Sequence, residues 1–78
     1  MTQFVPVVSS ALSAVRYDRE TKRLIIQFGD SYYEYTDVSS DVVVDFMFAD
    51  SIGSSFDKIV KKADFAFRRI TTEQARQD

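Results

Sequence analysis

Between Ser13 and Thr36 the large apolar side chains recur at every second residue, the period that turns one face of a β-strand towards a core. Val15 and Tyr17 share a side, as do Leu24, Ile26 and Phe28, and then Tyr33 and Tyr35. Gly29-Asp30 divides the second run from the third. A two-residue turn there sets Phe28 opposite Ser31, Ile26 opposite Tyr33 and Leu24 opposite Tyr35, so that the large residues of both strands share one face; a three-residue loop would break that match. The same parity across Asp18 to Arg23 opposes Tyr17 to Leu24 and Val15 to Ile26. The segment therefore reads as a three-stranded antiparallel meander. Its second face carries Arg16, Ile25, Gln27, Tyr32, Glu34 and Thr36, with Arg23 paired near Thr36.

After the meander, Ser39, Ser40 and Asp41 supply the capping hydroxyls and negative charge that favour a helix start. On the helix that follows, Val42, Val43, Phe46 and Met47 form one broad stripe, whereas Val44 and Phe48 fall on the opposite side. A helix apolar nearly all round is normally covered on two sides. The cover for Val44 and Phe48 is the Phe4 to Val8 segment, Phe65 and Phe67, a second copy, or another protein. A second short helix, about Ser54 to Lys62, turns Phe56, Ile59 and Val60 inward. Phe65, Phe67 and Arg69 then alternate as in an edge strand or extended segment, and Thr71 to Asp78 reads as a flexible tail. Pro6 cannot donate to a ladder, which confines Phe4 to Val8 to an edge if it pairs. The expected fold is α+β: a meander packed by two short helices, closed by an extended carboxyl-terminal segment.

With 78 residues the chain is one domain, residues 1–78. It contains neither cysteine nor histidine, which excludes thiol nucleophiles, Ser-His-Asp relays, zinc knuckles and disulfide frameworks. Gly29 and Gly53 are the only glycines, too few for a dinucleotide fingerprint or a phosphate-cradling loop. Asp37, Asp41, Asp45, Asp50 and Asp57 lack ordered ligand spacing and read as a solvated helix surface rather than a metal site. No catalytic residue, metal ligand or cofactor is assigned. The longest uncharged stretch, Met1 to Val15, is too short and too polar to span a bilayer, and no Lys or Arg precedes Arg16 as a secretory signal requires. The expectation is a soluble, cytoplasmic protein without membrane contact.

Charge is distributed unevenly. Residues 37–57 carry five acids and no base, whereas residues 58–69 carry Lys58, Lys61, Lys62, Arg68 and Arg69 against Asp64 alone. If Arg16, Arg23 and this carboxyl-terminal group share a side, they form a basic surface beside Tyr32, suited to grip phosphates while the aromatic stacks on an unpaired RNA base. The alternative is a protein partner or a homodimer docked on Val44 and Phe48.

Several short runs bear a family likeness: Tyr17-Asp18 with Glu20-Thr21, the strand ending Phe28-Gly29, Tyr33-Glu34-Tyr35 leading to Asp37-Val38, Asp50-Ser51-Ile52-Gly53-Ser54-Ser55-Phe56, and Phe65-Ala66-Phe67-Arg68-Arg69-Ile70. In that order, over about residues 7–70, they resemble the KTSC domain, a short module attached to the carboxyl terminus of some lysyl-tRNA synthetases and found alone in small bacterial and phage proteins. The resemblance implies no catalytic residue, and RNA binding is suggested for the family only by that attachment. It marks Tyr33, Tyr35, Asp50, Ser51, Gly53 and Phe56 as motif positions, read here as structural. Ser39 stands where the family often has proline, and Phe65 and Phe67 stand where tyrosine is common.

Overall fold

The period-two segments pair as their parity requires. The computed structural model describes residues 4–7, 12–63 and 65–76, with side chains omitted at 61–63. Within them β2 (Ala14–Asp18), β3 (Arg23–Phe28) and β4 (Ser31–Tyr35) form the meander. Val15 stands opposite Ile26 and Tyr17 opposite Leu24, while Ile26 faces Tyr33 and Leu24 faces Tyr35. Gly29 adopts φ +59°, the left-handed conformation that the first position of a two-residue hairpin turn demands. The β2–β3 connection is an Asx turn, in which Asp18 Oδ1 accepts from the Glu20 amide at 2.9 Å.

Two further strands extend the meander, so the sheet among the described residues has five strands rather than three, in the order β1-β2-β3-β4-β5. β1 (Val5–Pro6) lies antiparallel on the outer side of β2, at the edge where Pro6 is tolerated. β5 (Phe67–Ile70) pairs antiparallel with β4 and forms the other edge. The extended carboxyl-terminal segment is thus an edge strand.

α1 (Ser40–Met47) and α2 (Ile52–Ala63) close over one face of this sheet. Phe46 from α1 and Phe56 and Val60 from α2 meet Val15, Leu24, Ile26, Leu12 and Val38 in the main core. Ser39 occupies the N-cap position of α1 without a side-chain cap bond; its carbonyl accepts from Val42 at 3.2 Å. α2 begins at Ile52, two residues before the stretch that the apolar spacing marks. The lid is tied down at Val38, fully buried, whose amide donates to the Lys22 carbonyl at 3.0 Å and whose carbonyl accepts from the Tyr17 hydroxyl at 2.5 Å. Burial first, and then the charge of Asp18, raise the Tyr17 hydroxyl pKa.

The carboxyl-terminal stretch is not a loose tail: Thr72–Arg76 forms α3. Ala75 packs with Ile25, Tyr32 and Ile70, and Phe4 flanks them. This second cluster covers part of the sheet face opposite the lid. A reciprocal capping box starts α3, with Thr71 Oγ1 accepting from the Gln74 amide at 3.1 Å and Gln74 Oε1 accepting from the Thr71 amide at 2.9 Å.

Two phenylalanines on either side of Met47 separate packing from exposure. Phe46 is fully buried and Phe48 is 85% exposed. Phe46→Ala is expected to lower unfolding free energy by about 3–5 kcal/mol, whereas Phe48→Ala stays within about 0.5 kcal/mol of the parent. Urea titration followed by circular dichroism checks both.

Candidate functional site

The sheet separates the basic residues that sequence groups together. Arg16, Arg23 and Arg68 emerge on the α3 side, since Arg16 pairs with Ile25 and Arg68 with Glu34. Arg69 is opposite Tyr33 and so lies on the lid side. Lys58 is exposed on α2, across the sheet from Arg16. Lys61 and Lys62 fall in the last turn of α2, and their side chains lie outside the described residues.

Two members of the expected RNA-binding group are not surface residues. Tyr32 is 8% exposed and packs edge-on against Phe4, ring centres 5.7 Å apart, so it offers no open stacking face. Arg16 is likewise buried and donates from Nη1 to the Ala75 carbonyl at 2.7 Å, where a cation satisfies the carboxyl end of α3. Both corrections have one cause, the presence of α3 over a face read as open.

Glu34 organises the remaining cations on that face. It is buried; Oε1 accepts from Arg68 Nε at 3.1 Å, and Oε2 accepts from Nε of Arg23 at 3.0 Å and from its Nη2. Burial works to raise the carboxyl pKa, but the hydrogen bonds and charges of Arg23 and Arg68 outweigh it and hold the group below the ordinary carboxylate range. Arg68 keeps most of its side chain in solvent, at 63% exposure.

On the lid side three of the family-motif residues, Tyr33, Tyr35 and Phe56, are packed aromatics. The Phe56 ring meets Phe46, Tyr35 and Phe28 at 5.3, 5.6 and 6.0 Å. Tyr33 and Tyr35 carry Phe67 at 6.3 and 5.4 Å, forming an aromatic strip that leads to the β5 edge. Ser51 accepts the Ser55 amide through its carbonyl at 2.9 Å, Gly53 sits in the first turn of α2, and Asp50 is exposed between the helices.

The outer side of α1 is an uncovered ridge. Val44 is 52% exposed beside Phe48. Asp41 and Asp45 are exposed on the same surface, as spacings of three and four residues dictate. Two open hollows flank β5: one of about 160 Å³ is lined by Glu34, Thr36, Ala66, Phe67 and Arg68, and one of about 440 Å³ by Asp30, Ser31, Arg69, Ile70, Thr71 and Thr72. Among the described residues no group of three acids is placed to hold a metal ion, and no helix is long and apolar enough to cross a membrane.

Comparison with known proteins gives the same architecture. The KTSC domain model matches residues 8–65, so the Phe67-Arg68-Arg69 ending lies beyond the matched residues. A crystal structure of a KTSC domain protein from Yersinia pestis is similar at a TM-score of 0.81 and 35% identity, over 90% of this chain and 99% of that one. No curated protein matches the chain.

The Glu34 network makes a signed pH prediction. A carboxyl held below its unfolded pKa, ordinarily about 4.3, contributes its full stabilisation above that value and loses it as pH falls through the folded pKa. Glu34→Gln is expected to lower stability by roughly 1–3 kcal/mol near neutral pH and by progressively less under acid conditions. The difference between parent and variant urea midpoints across that range isolates Glu34 from Asp18, whose carboxyl is also lowered, chiefly by the Glu20 amide.

Proposed function

The chain belongs to the KTSC domain family, and from that premise we propose that it is a small non-enzymatic binding module which docks a protein partner on the Val44–Phe48 ridge of α1. The observation that carries this reading is Phe48, 85% exposed beside a half-exposed Val44. A large aromatic in water on a chain this short is an unused apolar area, and such residues anchor interfaces when a partner pocket removes them from solvent. Asp41 and Asp45 on the same surface call for an apolar pocket with a Lys- or Arg-bearing rim. They also oppose self-docking of two ridges, because like charges would meet at the contact. The non-enzymatic reading draws on the tasks of the acids: Glu34 holds two arginines and Asp18 holds a turn. The chain has no cysteine, which suits a reducing, cytoplasmic setting.

RNA is the competing ligand, supported by the exposed Lys58, Arg68 and Arg69. It is the weaker reading, because Arg16 and Tyr32 are buried and Glu34 offsets charge at Arg23 and Arg68.

A photo-crosslinking residue in place of Phe48, used in cells and followed by mass spectrometry, tests the two together. The expected product is a single protein adduct, lost with Val44→Asp while the melting temperature is unchanged. An adduct that survives Val44→Asp, no adduct, or recovery of RNA through a crosslinker at Arg69 alone would overturn the reading. A second copy crosslinked through position 48 would replace it with homodimerisation.

A further inference from the structure

The hydrogen-bond alternation of the sheet identifies what the outer edge of β5 presents to solvent. The Thr36 amide donates to the Ala66 carbonyl at 3.1 Å, which makes this pair a hydrogen-bonded one. Stepping by two in the register, Glu34 with Arg68 and Tyr32 with Ile70 are also hydrogen-bonded pairs. The β3–β4 hairpin yields the same result independently: its closing pair, Phe28 with Ser31, is of the bonded type, so Tyr33 and Tyr35 direct their main chain to β3. Phe67 and Arg69 must therefore direct their N–H and C=O groups away from β4. Among the described residues no element pairs with that edge, and residues 66–69 are exposed.

From this we infer that β5 binds an extended acidic peptide of a partner protein as a sixth, added strand. The main chain selects the class of ligand. Phe67 and Arg69 present donors and carbonyl acceptors side by side, which an extended peptide matches, whereas a nucleic-acid phosphate accepts only and would be repelled by the carbonyls. Side chains select the charge. Arg68 is tied to Glu34 through Nε with its side chain 63% exposed; Arg69 donates to Ser31 Oγ at 3.2 Å and is also exposed. A second copy of β5 is disfavoured, because edge-to-edge pairing would bring four arginines together. Phe67, 62% exposed on the strip formed with Tyr33 and Tyr35, takes an apolar side chain of the added strand. On the opposite face the exposed Arg68 meets an acidic one.

The site is separate from the α1 ridge, so its test keeps the two apart. The probe is a short capped peptide with one central Val flanked on both sides by Glu residues, so that Val meets Phe67 while glutamates face Arg68 and Arg69; it is titrated into isotope-labelled full chain and followed by amide chemical shifts and hydrogen exchange. In the free protein the Phe67 and Arg69 amides are expected to exchange faster than those of Arg68 and Ile70. Saturating peptide is expected to slow them roughly tenfold or more. Binding should weaken by about tenfold or more with Arg69→Glu, or with the same peptide N-methylated at every backbone amide, and remain unchanged with Val44→Asp. Equal binding of the N-methylated peptide or of its Lys-for-Glu counterpart would overturn the proposal. So would shifts confined to α1, no shifts at all, or oligouridylate shifting Phe67 and Arg69 where the Glu peptide does not.

Discussion

With two residues between β3 and β4, Ile26 stands across from Tyr33 and Leu24 across from Tyr35, and every other feature of the molecule inherits that register. The side-chain period of a strand is two, so a slip of one residue would send Leu24 and Ile26 to the α3 side and Ile25 to the lid. Gly29 secures the turn because its left-handed φ carries no Cβ penalty. Once the meander is in register, the lid side offers a continuous apolar floor. Phe46, Phe56 and Val60 have one surface on which to be buried, and Val38, bonded at both its amide and its carbonyl, brings α1 over it.

The same register creates the opposite problem on the other face. There the alternation leaves Ile25 and Tyr32 beside Arg16, Glu34 and Arg68, a mixture of apolar and charged groups that a solvent-facing surface tolerates poorly. A single turn and a half of helix resolves it. α3 covers the apolar end with Ala75, and its carboxyl end receives the buried Arg16. At the uncovered end Glu34 collects two guanidinium groups, and among the described residues no buried side-chain nitrogen or oxygen lacks a partner. The charged residues of this face thus serve the fold before they serve a ligand, and the basic surface is smaller than a count of arginines suggests.

Much of this was legible in the sequence, for a definite reason. Where one face alternates strongly, parity determines pairing; both meander registers, the two lid helices and the edge position of Pro6 follow from residue spacing. Helix α3 has no such signal, since its five residues offer Ala75 as the single buried apolar side chain. Its trace is the capping pair Thr71 and Gln74 at N-cap and N3 spacing, together with the unpaid burial of Ile25 and Tyr32. With Tyr32 taken as open to a ligand, the tail has no task and that residue becomes a stacking platform. On the candidate surfaces the outcome divides similarly. Helical spacing sets Val44 and Phe48 opposite the Phe46 stripe but does not reveal that they stay exposed rather than covered within the chain, and the grouping of Arg16, Arg23, Lys58 and Arg69 was not legible either, because charge in sequence carries no information on which side of a sheet it emerges.

The two surfaces proposed for partners differ in their chemistry, and backbone hydrogen bonding argues against their docking on each other. The ridge on α1 is acidic and the β5 edge is basic, so electrostatics alone would favour a head-to-tail chain of copies, an association that does not close on itself. Yet the helix has already spent its main-chain donors and acceptors internally, whereas the β5 edge still presents those of Phe67 and Arg69. Docking α1 there would bury polar groups without partners, which is more costly than the charge attraction between exposed groups is favourable. On the proposed readings the edge would select an extended chain and the ridge an apolar pocket. Opposite charge on one small domain is then compatible with a monomer, because the hydrogen-bonding geometries of the two surfaces do not match.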